Sequence, residues 1–142
     1  MLFSESTVIL GIETSCDETA AAVVMGGNDV LSSVVATQID LHARYGGVVP
    51  EIASRAHVEA MNVVIRQAVL QSGVPIERID AVAATVGPGL IGALLVGVAA
   101  AKSVALVLDK PFIGVNHLEA HLYAALLDDP HVEFPMLVVL VS

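Results

Sequence analysis

Two histidines with helical spacing are the residues of this sequence best suited to chemistry. His117 and His121 lie four positions apart. On a helix they would share one face, separated by one turn of about 6 Å, and two imidazoles at that spacing can bind one metal ion. The pair follows an apolar stretch typical of a strand, and ligands of open α/β sheets bind where strands end. We therefore predict a divalent-metal site; the alternative is two unrelated surface histidines.

The residues around the pair do not fit the established zinc motifs. A zinc peptidase needs glutamate beside the first histidine, or in the inverted motif beside the second, but Leu118 and Ala120 stand there. Residues 117–119 match the start of the zinc-deaminase motif, but a chain with one cysteine cannot supply its Pro-Cys-x-x-Cys part. A metallopeptidase stays an alternative. Because two histidines form an incomplete site, we expect the third ligand to come from beyond Ser142.

A glycine-rich turn is the second candidate. Residues 87–92 match the G-x-G-x-x-G pattern between a predicted strand and a predicted helix, with Asp109 about 20 residues later. The pattern favours a dinucleotide-binding domain as one alternative. Against it, Asp109 precedes the next predicted strand instead of ending it, and the motif follows the fourth strand. Because helix N-termini attract anions, Gly87 and Gly89 are candidate substrate-binding residues, unless the turn serves only packing.

Hydroxyl and carboxyl groups cluster in residues 11–19, at a predicted turn between two strands. Such groups can surround a phosphate or a metal-bound phosphate, although polar residues are also common in turns. Glu13 is unusual because it is a carboxylate late in an apolar strand. Cys16 is interpreted as a packed or incidental thiol, because no paired base accompanies it.

The remaining histidines and one arginine are interpreted as surface or capping groups. Arg55 and His57 lie near the start of the first predicted long helix, whereas His42 and His131 lie in predicted loops.

Composition limits what this chain does. Its 142 residues suit one domain, and 56% hydrophobic residues exclude intrinsic disorder. Six Lys and Arg against 15 Asp and Glu give a net charge of −9, so any nucleic-acid substrate must be held by other surfaces or other proteins. One cysteine and no secretion-signal pattern predict a reducing, cytoplasmic location.

Periodicity places these residues on an α/β fold. The predicted order is β-β-β-α-β-α-β-α, which opens as an antiparallel meander and has parallel fourth and fifth strands. Strands are predicted at 8–14, 18–25, 30–38, 79–86 and 112–115, and helices at 50–72, 90–108 and 116–127. A loop at 40–49 and a sixth strand at 136–141 complete the prediction. Residues 1–131 would form a first lobe, and 132–142 would start a second lobe of a longer protein.

One uncharged stretch is long enough to span a bilayer. It lies between Asp80 and Lys102, but residues 87–89 (Gly-Pro-Gly) divide it, so we predict a strand, a turn and a helix and no membrane association. The helix would be buried on most sides or covered by a partner.

Four segments together resemble the TsaD family, the tRNA N6-adenosine threonylcarbamoyltransferases, once described as O-sialoglycoprotein endopeptidases. They are residues 9–19 (Ile-Leu-Gly-Ile-Glu-Thr-Ser-Cys-Asp-Glu-Thr), 46–57, 87–90 and 116–121. The resemblance covers essentially the whole chain, as the N-terminal portion of such a protein. It implies the two-lobed actin-like ATPase fold of sugar kinases and heat-shock chaperones. A non-catalytic nucleotide-binding scaffold of that fold is the alternative, although a pure scaffold needs no metal.

The resemblance also implies a reaction and its partners. An L-threonylcarbamoyl group would pass from threonylcarbamoyl-AMP to N6 of the adenosine 3′ of the anticodon. The partners would be tRNA, a TsaB-like paralogue that pairs through first-lobe helices, and a TsaE-like ATPase.

The site residues follow from the same resemblance. His117 and His121 match two ligands of iron or zinc, whose third ligand is an aspartate of the second lobe. Asp17 and Glu18 match carboxylates close to the reaction centre. The start of the adenylate-binding segment is matched by Leu140, Val141 and Ser142. Without the second lobe, we expect the chain alone to be inert.

Overall fold

The predicted order β-β-β-α-β-α-β-α is present, with two additional short helices, one of which is the 3-10 helix Ile76–Arg78. The computed structural model describes residues 4–128, 131, 133 and 135–139. Its strands are β1 Val8–Glu13, β2 Glu18–Met25, β3 Asp29–Thr37, β4 Ala81–Gly87 and β5 Phe112–Asn116. Its helices are α1 Ile39–Ala43, α2 Pro50–Ser72, α3 Ile91–Leu108 and α4 His117–Asp128.

The five strands form one sheet in the order β3-β2-β1-β4-β5. The first three strands pair antiparallel, as the meander prediction required, and β4 pairs parallel with both β1 and β5. Because β1, β4 and β5 run in the same direction, their carboxyl ends share one edge of the sheet. That edge carries the segment after Glu13, the turn after Gly87 and the start of α4.

The hydrophobic core lies between one face of the sheet and the helices α2 and α3. Alternate residues of β1 are buried there, including Leu10 and Ile12, while Gly11 and Glu13 face the opposite side. Helix α3 packs closely against Thr14, the residue that follows β1, as shown by the overlap that a Cβ atom at Gly97 would have with the Thr14 hydroxyl. The sheet is therefore covered by long helices on one face, and its other face holds the polar residues described below.

Helix α3 buries only a narrow stripe of small residues. Its buried positions are Ala93, Gly97, Ala101 and Ala105. Large apolar side chains point outward, with Leu106 82% and Val107 84% exposed. The strand, turn and helix were predicted correctly, but burial on most sides was not. Within the described residues, α3 is also the helix long and apolar enough to cross a membrane by length and composition.

Two predictions of secondary structure are wrong. Residues 39–43 form the helix α1 instead of a loop, because a helical turn from Gln38 buries His42 and satisfies its N–H with the Gln38 carbonyl. Residues 136–139 form no strand, since a strand requires a neighbouring backbone and Leu137 and Val139 are 94% and 78% exposed. Residues 140–142 lie outside the described part of the chain, and the boundary at 131 stays a prediction.

Candidate functional site

The histidine pair lies at the start of α4, directly after β5. The Asn116 side chain caps this helix, since its Oδ1 accepts the N–H groups of Leu118 at 2.9 Å and Glu119 at 3.3 Å. The cap fixes where the helix begins, so His117 is its first residue and His121 follows one turn later. Both side chains therefore lie at the carboxyl edge of the parallel strands.

The two rings converge through the same type of nitrogen. Their Nε2 atoms are 3.1 Å apart, and the ring planes are close to perpendicular at 81°. Two ligand nitrogens on a tetrahedral zinc ion, at bond lengths of about 2.0–2.1 Å, would be about 3.3 Å apart. The pair therefore fits a divalent cation. Among the described residues, no group of three His, Cys, Asp or Glu side chains could complete such a site.

Glu13 contacts the His117 ring at Nδ1, the nitrogen that does not face His121. The Nδ1 atom of His117 lies 3.3 Å from Glu13 Oε2 and 3.3 Å from Ser15 Oγ. A carboxylate can only accept, so Nδ1 carries the proton and Nε2 presents its lone pair towards His121. This carboxylate–histidine arrangement is the one that fixes the tautomer and orientation of metal-binding histidines.

Glu13 is itself held as an anion. Burial raises its pKa, but hydrogen bonds from the Thr85 hydroxyl, the Ser15 N–H and His117 outweigh burial and leave the pKa below its usual value. The site therefore contains a fixed negative charge next to His117.

Sequence reasoning found only part of this arrangement. Glu13 was noted as unusual, but Thr85 and the Ser15 side chain were not singled out as site residues. The available signal was topological, because Thr85 lies near the carboxyl end of β4, and β4 runs parallel to β1. Together with α4, Glu13 and Thr85 line a cavity of about 360 Å³ on the sheet face away from α2.

The glycine-rich turn packs against the loop that follows Glu13. The Leu90 N–H donates to the Ser15 carbonyl at 2.8 Å, and Gly89 lies directly beside Ser15. Gly87 has φ 154°, a backbone conformation that favours glycine. The turn and the loop are therefore one unit at the edge of the site.

A methyl group at Gly89 is expected to displace this loop. A Cβ there would lie 2.7 Å from the Ser15 carbonyl oxygen and 3.0 Å from its Cα, so backbone must move. If the site is catalytic in the complete protein, Gly89→Ala should lower the kcat of its reaction by about 10²-fold. That is the usual cost of displacing reacting groups by about 1 Å. Steady-state kinetics would measure the effect, and Gly47→Ala, where a Cβ has no atom within 4 Å and φ is not positive, is the control. A kcat of Gly89→Ala equal to that of the wild-type protein would show that the position of this loop does not affect the reaction.

Of the predicted catalytic carboxylates, Asp17 lies on the same loop and Glu18 begins β2, and neither has a described hydrogen bond to the histidine pair. Asp17 is half-buried and Glu18 exposed. Their catalytic role stays a prediction. The predicted adenylate-binding residues Leu140, Val141 and Ser142 lie outside the described residues.

Cys16 is exposed instead of packed. Partial burial of its thiol, a hydrogen bond with Asp17 and the neighbouring carboxylates raise its pKa. A thiol with a raised pKa is mostly protonated at neutral pH, so Cys16 is a poor nucleophile.

The dinucleotide-binding alternative does not fit the fold. Asp109 ends α3 with φ 53°, at the end of the helix far from the glycine turn. Eighteen residues separate the two ends of α3, a length of about 27 Å, so Asp109 cannot bind a ribose whose phosphates lie at Gly87–Gly92.

Two histidines interpreted as surface groups are in fact buried. His57 is 0% and His42 3% exposed, because both have hydrogen-bond partners inside the lobe. Arg55 is on the surface as predicted and pairs with Glu51 at 2.6 Å. His131 is exposed.

Comparisons with known proteins relate this chain to one protein family. Residues 29–142 match the family model described as TsaD, tRNA N6-adenosine threonylcarbamoyltransferase. A protein of that name from Symbiobacterium thermophilum is 62% identical over 135 residues, covering 95% of this chain and 40% of the relative. Another from Clostridium perfringens is 54% identical over 138 residues, covering 97% and 41%. The chain thus spans about 40% of the length of these relatives.

Solved structures show the fold. YeaZ from Pseudomonas aeruginosa matches with a TM-score of 0.63 at 19% identity, over 87% of this chain and 50% of YeaZ. RuvC from T. thermophilus, solved with a Holliday junction, matches with a TM-score of 0.51 at 15% identity, over 84% and 69%. The lobe therefore has the actin-like ATPase fold that was predicted. Because the family model extends over most of its length, the chain belongs to the TsaD family of tRNA N6-adenosine threonylcarbamoyltransferases.

Proposed function

We propose that the complete protein is an acyltransferase acting on tRNA in the cytoplasm. It would move the L-threonylcarbamoyl group from threonylcarbamoyl-AMP to N6 of the adenosine 3′ of the anticodon. The observation that supports this most directly is the convergence of the His117 and His121 Nε2 atoms, with Glu13 behind them, in a member of this family.

The site residues of this lobe would have different roles in the transfer reaction. Glu13 keeps the His117 Nε2 lone pair directed towards His121, so the two nitrogens can hold iron or zinc. A divalent cation bound there would act as a Lewis acid on the carbamoyl group. Asp17 or Glu18 would accept the proton that the adenine amine loses when it attacks the carbamoyl carbon and AMP leaves. Gly87 and Gly89 would shape the turn that receives the adenylate.

The net charge supports a tRNA-binding surface that lies mainly outside these residues. With a net charge of −9, this chain repels phosphates overall, so tRNA would be held by other parts of the protein or by partners. A TsaB-like paralogue is the first such partner, and the outward apolar residues of α3 offer it a surface. The likeness to YeaZ, a TsaB protein, supports a pairing of two similar lobes. A TsaE-like ATPase would be the second partner.

The test is a transfer reaction with the complete protein. Purified protein, its TsaB-like and TsaE-like partners, unmodified tRNA and threonylcarbamoyl-AMP are incubated, and the modified nucleoside is measured by mass spectrometry. The expected result is modification of the adenosine 3′ of the anticodon in tRNAs that read codons beginning with A. Nucleotide binding without transfer, despite bound metal, would instead support the scaffold alternative.

A further inference from the structure

Three buried polar side chains lie behind the loop at residues 15–17, and the chemistry proposed above does not use them. His57, Gln38 and His42 are 0%, 7% and 3% exposed. Burying polar groups is costly unless each has a partner, and no buried side-chain nitrogen or oxygen of the described residues lacks one. A fully satisfied buried network of this kind fixes the position of whatever it contacts.

The outer half of this network begins at the N-terminus of α2. The Val49 N–H donates to His42 Nδ1 at 3.4 Å, which leaves the proton of His42 on Nε2. That Nε2–H donates to Gln38 Oε1 at 2.9 Å. The amide orientation of Gln38 is thereby fixed, with its nitrogen facing the Ala53 carbonyl and His57.

The inner half ends on the loop. His57 Nδ1 accepts from the Thr19 hydroxyl at 2.8 Å and from the Gln38 amide at 3.4 Å. The remaining ring nitrogen, Nε2, lies 3.0 Å from the Cys16 carbonyl oxygen, which can only accept. His57 is therefore neutral, with its proton on Nε2.

Three consecutive carbonyls of the loop are held by three different elements. The Ser15 carbonyl accepts from the Leu90 N–H at 2.8 Å, and the Asp17 carbonyl accepts from the Gln38 N–H at 3.0 Å. The Cys16 carbonyl between them is held by the His57 ring. The loop also carries Ser15 Oγ, which contacts His117, so its conformation affects the position of the metal-binding histidines.

We propose that His57 is a positioning residue for the transfer reaction. It fixes the Cys16 carbonyl, and through it the loop that presents Asp17 and Ser15 to the site. Through Gln38 and His42, the same ring couples this loop to the segment before α2. This inference rests on the proposed function for its catalytic consequence, but the structural part can be measured without any turnover.

The first test needs no substitution. Ring ¹⁵N chemical shifts of His57 in the complete protein report which nitrogen carries the proton. We expect the neutral Nε2–H form. A proton on Nδ1 would leave the Cys16 carbonyl without its donor and would overturn the proposal.

The second test compares three variants of the complete protein. His57→Leu removes the ring donor, His57→Gln keeps an N–H donor within reach of the Cys16 carbonyl, and Met61→Ala damages the core one turn further along α2 without touching the loop. Hydrogen exchange is measured at the Gln38 and Leu90 amides, which donate to the loop, and at the Leu10 amide as a core reference.

The expected pattern separates positioning from stability. In His57→Leu the loop amides should exchange about tenfold faster relative to Leu10, whereas Met61→Ala should accelerate all three alike. Transfer should lose about 10²-fold in kcat with little change in KM for His57→Leu, and His57→Gln should recover most of it. Uniform exchange in His57→Leu, or no recovery by His57→Gln, would overturn the proposal. If the wild-type protein shows no transfer, the proposed function fails while the exchange data still decide the role of His57.

Discussion

Replacing His121 by alanine in the complete protein is expected to abolish both metal binding and transfer. The His121 Nε2 atom faces the His117 Nε2 atom at 3.1 Å, so its loss removes one of the two ligands that this lobe offers and leaves His117 with only the ligand expected from the second lobe. Losing the Lewis acid removes several kcal/mol of transition-state stabilisation, so we expect kcat to fall by about 10³-fold or more. Metal content by elemental analysis and nucleoside mass spectrometry measure the two losses on the same sample.

The exposure of His121 makes this experiment easy to interpret. Because the side chain is exposed, its removal should change the free energy of unfolding of the metal-free protein by no more than about 0.5 kcal/mol. His121→Asp, which keeps a metal ligand, should retain more metal than His121→Ala. Tyr123→Ala, at a 66% exposed position on the same helix, is the control and should keep wild-type metal content. A His121→Ala protein with full metal content and activity would refute the metal site.

The sequence predicted the sheet because its local signals agree with the tertiary contacts. The three-strand meander, the helix that begins at Pro50 and ends before Gly73, and the parallel β4 and β5 all have periodicity and turn residues that match the structure. Helix α3 shows the limit of such patterns. Its composition is apolar all round, so sequence alone did not reveal that only the stripe of small residues is buried.

The site was harder to predict because its polar contacts are long-range. His57 meets Thr19 and Cys16 across 38 and 41 residues, and Glu13 meets His117 across 104. No spacing along the chain reports such contacts. The His117 and His121 pair was found because both members lie on one helix, where sequence spacing is also spatial spacing.

The second large effect concerns Glu13, the carboxylate that keeps His117 in its metal-binding tautomer. In Glu13→Gln an amide nitrogen can take the place of Oε2, facing the Thr85 hydroxyl and His117 Nδ1. His117 would then accept at Nδ1 and carry its proton on Nε2, the atom that must bind the metal. We expect metal affinity to fall by about 10–100-fold, the usual cost of losing such a partner, and transfer to fall with it. Competition with a chelator of known affinity measures the first quantity.

The loss of metal affinity expected for Glu13→Gln does not come from the lost charge alone, and a matched variant tests this. Glu119→Gln removes one negative charge two residues from His117, but Glu119 is exposed and its carboxylate takes no part in the contacts around that ring. If the Glu13 effect were general electrostatics, both variants would weaken metal binding to a similar extent. If it acts through the tautomer, Glu119→Gln stays at wild-type affinity. In metal-free Glu13→Gln, the ¹⁵N chemical shifts of the His117 ring should then show that the proton is on Nε2.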